Sequence, residues 1–150
     1  MILQVAMLIL MITGFQEPAS GIYIVHTPPK KVPCDHEGRM IIGKAKICIA
    51  KKPIINKEGI TYASEIKYDP VFKLHYIEIG LSTSASQVLK KTVASLPESK
   101  FALAFEGEIV CTFSIAQEAN VRAFRIGEDV LFSDLTIIHE ALSKVKFNEN

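Results

Sequence analysis

The 150-residue chain has no low-complexity tract, no stripe of one charge sign, no phosphate-binding loop and no apolar run long enough to cross a bilayer. Each absence removes a class of protein. Chains that stay disordered are poor in apolar residues, whereas 49% of this one is apolar. Its 17 basic and 16 acidic residues are spread along the chain for a formal charge of +1, so the basic footprint of a nucleic-acid binder is missing. Lys30-Lys31 and Lys51-Lys52 are short clusters that read as solvated loop charges. The pattern G-x-x-x-x-G-K-S/T does not occur, and Gly127-Glu128-Asp129 reads as a turn.

What is present suits one globular domain with a core of ordinary thickness, which needs neither metal nor cross-links to fold. The N-terminus differs from the rest. Residues 1–14 are apolar except for Gln4 and Thr13. A spanning helix needs about 20 such residues, so the run suits the apolar region of a signal peptide instead. Ala19 and Gly21 then supply an A-x-A-like cleavage site. Residues 1–21 are therefore expected to be a signal peptide and residues 22–150 one periplasmic or secreted domain with no integral membrane span. No Lys or Arg precedes the apolar run, which leaves the α-amino group to supply the usual positive charge. The alternative is a buried N-terminal strand or helix.

Cys34 and Cys48 flank a turn-rich segment and are candidates for a disulfide in an exported chain. Closing a loop of about 15 residues would contribute about 3 kcal/mol by the chain-entropy account. Cys111 falls in a strand pattern and reads as a small buried apolar residue. In a cytosolic protein all three would be free thiols.

Along the chain, Ile22–Val25 is a short β-prone run, residues 30–43 read as a loop, and residues 44–50 alternate as a half-buried strand. Residues 73–81 give the clearest strand, with Ile77, Ile79 and Leu81 on one face and an antiparallel partner expected at 60–67. Ser84 and Gln87 form a capping-box pattern before a helix whose stripe is Ala85, Val88, Leu89, Val93 and Leu96, stopped by Pro97. Phe101, Leu103 and Phe105, then a Glu106-Gly107 turn, then Ile109, Cys111, Phe113 and Ile115 predict a hairpin. A loop at 116–120 and a short run at 121–126 follow. Ser133 or Asp134 would cap a second helix with Leu135, Ile138, Leu142 and Val145 on one face. The expected fold is α+β, a two-layer sandwich of mainly antiparallel sheet with two helices packed on one face.

Residues 59–145 carry a resemblance to the head of the first periplasmic domain of SecD/SecDF. Ala102 to Ile109, A-L-A-F-E-G-E-I, is similar to the family's A-I-V-L-D-G-K-V, which places Ala104, Glu106 and Gly107 at motif positions. Cys111 to Ile115 stands where the family has S-A-P-x-I, and Ile126-Gly127 where it has I-x-G, one residue short. Residues 132–142 resemble the closing helix, and residues 60–65 and 76–93 match in type and spacing. Glu106 replaces the family's Asp, and Thr112 and Phe113 replace its small residue and Pro. The membrane helices that follow the head in the family have no counterpart in these residues. The resemblance implies the family's α+β head fold and a non-catalytic, cofactor-free role in contacting a polypeptide or an envelope protein, linked to protein export. It implies no proton-driven work.

The competing reading is a small hydrolase or thiol enzyme built on Cys34-Asp35-His36-Glu37. Zinc there would need a second ligand pair at the right spacing, and His26, His75 and His139 do not supply one. No nucleophile signature surrounds Cys34 or Cys111. His139 lies off the apolar stripe of its helix and reads as a surface residue.

Overall fold

Apolar residues at alternate positions build short strands, and two runs at helical spacing build helices, in the computed structural model, which describes residues 17–27, 34, 36–116 and 121–148. The elements are β1 (Gly21–Ile24), β2 (Glu37–Arg39), β3 (Lys46–Cys48), β4 (Ile55–Asn56), a 3-10 turn (Lys57–Gly59), β5 (Ile60–Ala63), β6 (Lys67–Asp69), β7 (Leu74–Leu81), α1 (Thr83–Ser95), β8 (Phe101–Phe105), β9 (Glu108–Phe113), β10 (Ala123–Ile126) and α2 (Phe132–Ser143). Residues 1–16 of the expected signal peptide at 1–21, residues 28–33 and 35, residues 117–120 of the expected loop at 116–120, and residues 149–150 lie outside the described residues.

The architecture is an α+β sandwich with antiparallel pairing between all its named strands, divided over two sheets and a ribbon. One sheet has the order β4-β1-β8-β9. The other has the order β10-β7-β5, with β6 pairing the first half of β7. The ribbon is β2 with β3, so part of the expected loop at 30–43 is strand. Both helices send side chains into the same core. Leu89 and Val93 of α1 and Leu135, Ile138 and Leu142 of α2 join Ile77, Ile79, Phe101 and Leu103 of the sheets. Burial of each such side chain is worth about 1.5–3 kcal/mol.

Local signals place some elements differently from the sequence reading. The N-cap of α1 is Ser82, whose hydroxyl accepts the Ala85 N–H at 3.2 Å. Ser84 lies within the first turn, and its hydroxyl contacts that of Ser82. Val88 and Leu96, counted in the apolar stripe, are exposed, and Ser86 is buried instead. The cap position of α2 is Leu131, with no side-chain hydrogen bond, while Ser133 and Asp134 fall inside the helix.

The hairpin β8–β9 forms as expected but contains a bulge. Leu103 opposes Cys111 and Ala104 opposes Ile109, leaving Val110 as the extra residue. An extra residue changes the alternation of faces. Ile109 therefore lies on the opposite face from Cys111 and Phe113, not beside them. Phe101, Leu103, Val110, Cys111 and Phe113 face the main core. Tyr23, Ile49, Ala102, Ala104 and Ile109 form a second, smaller core on the outer face. The ribbon covers it, and backbone Gly38 lies so close to Ile109 that a Cβ would overlap its side chain. Bridges Val25–Ile49 and Met40–Ile109 hold the ribbon at two points.

Candidate interaction surface

The residues singled out by motif do not converge on one site. Ala104 is buried under the ribbon and Ile115 lies in the main core. Glu106 and Gly107 are the two centre residues of the hairpin turn, with φ of 49° and 84°. Such a turn favours Asn or Gly, so Glu106 is an unusual occupant of its position. Its N–H is held by the Ser20 hydroxyl at 3.2 Å, and Glu17 packs against Gly107. Gly127, with φ of 80°, leads into α2.

Cys34 and Cys48 form a disulfide with Cα atoms 5.6 Å apart, tying the start of the ribbon to its end. The Cys34 sulfur also lies 2.8 Å from the His36 carbonyl oxygen. A disulfide sulfur has no proton to donate, so this is a close contact and not a hydrogen bond. Cys111 is a free, buried thiol, and burial pushes its pKa up to about 12. His36 and Glu37 line an open cleft of about 380 Å³ with Tyr23, Lys51, Lys52 and Pro53. Its lining holds both carboxylates, Glu17 and Glu37, and cations, Lys51 and Lys52, so its charge selects no ligand class. Among the described residues no group of His, Cys, Asp and Glu is arranged to hold a metal ion.

A different surface breaks the local rules more sharply. The four-residue connection from β6 to β7 is Pro70-Val71-Phe72-Lys73. Turns normally carry Gly, Asn, Asp or Ser, yet Val71 is 79% exposed and Phe72 72%. Lys73 completes the turn with φ of 53°. Beside it, the start of α2 exposes Leu131 and Phe132, the former at a cap position where a polar oxygen is preferred. His75 joins the two elements. Its ring lies 4.9 Å from that of Tyr68 and 4.8 Å from that of Phe132, centroid to centroid. Tyr68, His75 and Phe132 are in ring contact, and the exposed Val71, Phe72 and Leu131 lie next to them along the chain; these six residues are the ridge.

The backbone of the turn is hydrogen-bonded from below. Asp69 is buried, and its Oδ1 accepts the N–H groups of Val71 at 2.8 Å and Phe72 at 3.2 Å. Its Oδ2 accepts from Arg125 Nη1 at 2.7 Å. The Arg125 guanidinium also stands 4.1 Å over the Tyr76 ring and reaches Glu128 at 3.5 Å. The Arg125 hydrogen bond, helped by the Phe72 N–H, holds the Asp69 carboxyl below the usual carboxylate range. Behind the tip, Glu78 accepts from the Tyr62 hydroxyl at 2.8 Å and from Lys67 at 3.3 Å. His139, read from sequence as a surface residue, is half-buried and pairs with Glu65 at 2.8 Å, tying α2 to the β5–β6 bend. Residues 67–70 carry a turn signal in the sequence, but Lys67–Asp69 is strand β6 and the turn itself is the 70–73 connection, so the sequence reading missed the ridge. The available signal was the pair Val71-Phe72 in the centre of that turn.

No family model matches the chain, and no curated protein or solved structure matches it. No described helix is long and apolar enough to cross a membrane.

Proposed function

We propose that this protein is an exported, non-catalytic binding module that contacts extended or unfolded polypeptide through the ridge at the β6–β7 tip. The observation that carries the reading is the exposure of Val71 and Phe72 on a turn whose backbone N–H groups are held by Asp69. A contiguous exposed apolar patch marks an interaction site, and a surface already fixed in its bound form loses less entropy on binding. The resemblance of residues 59–145 to the SecD head, whose family contacts translocating chains outside the membrane, supports a polypeptide as partner.

A test uses reduced, carboxymethylated α-lactalbumin as a permanently unfolded probe, with binding followed by fluorescence anisotropy. Val71→Ser with Phe72→Ser should weaken binding at least tenfold. Its stability in urea should stay within about 0.5 kcal/mol of the parent, as for other exposed positions. Equal binding by the double variant would reject the ridge as the site.

A further inference from the structure

Taking the chain as exported, as the proposed function does, we propose that residues 17–21 belong to the folded domain and stay in the mature protein. The leader is then cut before Glu17, and not at the Ala19-x-Gly21 pattern. Glu17, Ala19, Ser20 and Gly21 are each tied to a different part of the domain. The Glu17 side chain packs against Gly107. The Ala19 carbonyl accepts the Tyr23 hydroxyl at 2.7 Å, and Tyr23 is a buried member of the second core. The Ser20 hydroxyl accepts the Glu106 N–H at 3.2 Å, where the hairpin turn reverses. Gly21 opens β1 and is paired with Asn56 of β4 on one side and Ala104 of β8 on the other.

Two observations stand against removal of residues 1–21. Ile22 is fully buried, with Ile55 on one side and Leu103 on the other. A chain beginning there would place its α-ammonium within the sheet, and an unpaired buried charge is costly. The same cut would take away the acceptor of the Tyr23 hydroxyl. Gly21 carries the second observation. A signal peptidase takes small residues at its recognition positions, and alanine serves there as glycine does. The fold is less permissive. Gly21 has φ of 153°, and a Cβ built on it would overlap the Ile55 carbonyl oxygen and stand 3.0 Å from the Pro53 side chain. Backbone angle and close approach both require glycine, for a reason unrelated to cleavage. The apolar run ends at Thr13-Gly14, which leaves Gly14 as the small residue upstream of Glu17 for the cut.

The experiment expresses the full chain with its own leader in a secreting bacterial host, as wild type and as Gly21→Ala. Intact mass and the urea midpoint of the product are then measured. The wild-type product should begin after Gly14 and no later than Glu17. In Gly21→Ala the added Cβ stays in the product, so the midpoint should fall by about 1 M, or no folded protein should be recovered. Had the segment been removed, the alanine would leave with it, and the two products would share one mass and one midpoint. A wild-type product that begins beyond Glu17, or equal midpoints for the two proteins, overturns the proposal while leaving export intact. A wild-type product that keeps the apolar run at 1–14 overturns the cut and the export reading together.

Discussion

The outer face of the β1–β8–β9 sheet and the ridge at the β6–β7 tip are both apolar and both lie outside the main core, yet only the first is covered. Tyr23, Ala102, Ala104 and Ile109 are hidden under a ribbon of two three-residue strands. That ribbon is fixed by two isolated bridges and a disulfide. Among the described residues nothing covers the ridge, and Asp69 holds the backbone N–H groups of Val71 and Phe72. The chain therefore buries one stray apolar surface and, among the described residues, leaves the other open. On the proposed function, the open surface is the one that meets a partner.

The sharpest way to break this contrast is through Ile109, which is fully buried beneath the ribbon. Ile109→Ala should destabilise by about 2–5 kcal/mol in urea, the range for deleting a large core side chain. A loss under about 0.5 kcal/mol, the level of a surface site, would mean the ribbon is only loosely applied. Next in size is Cys34→Ser with Cys48→Ser, expected to cost about 3 kcal/mol through the lost loop constraint. Hydrogen exchange should then speed up at Ile47 and Ile49 but not in β6 and β7. Equal acceleration at the tip would show that the two regions are not independent.

The smallest effect concerns the support of the ridge and appears only in acid. Asp69 is held below its ordinary range by Arg125. Its contribution to stability is therefore present above the unfolded value of about 3.9 and is lost as pH falls through the folded value. Asp69→Asn should flatten the stability curve below about pH 4 relative to the parent. Parallel curves in that range would remove Asp69 as the electrostatic clamp of the tip.

Much of the strand framework was legible in the sequence, but this contrast was not. Alternation located β7 and the β8–β9 hairpin, since period-two runs such as Phe101, Leu103 and Phe105 have one good way to bury themselves. Cys34 and Cys48, suggested as partners by the turn-rich segment between them, are the two that are joined. Position within an element was harder to read. Ser82 and Ser84 are chemically equivalent caps, and the choice between them depends on where β7 releases the chain. Val88 and Leu96 fit a helical stripe but lie beyond the edge of the surface that α1 covers. The bulge at Val110 leaves no mark in composition, because valine suits a paired position as well as an extra one. The ridge escaped because apolar residues in a turn look like the end of a strand until their exposure is known.

That unpaired valine bears on how the hairpin can change over generations. Every other residue of β9 is counted against a partner on β8, so adding or losing one there would exchange inside for outside along the rest of the strand. At Val110 the count already has one to spare. Loss of that codon would leave Ile109 under the ribbon and Cys111 in the main core, at the expense of one buried side chain. The bulge thus marks the point in the hairpin where chain length is least tightly coupled to orientation.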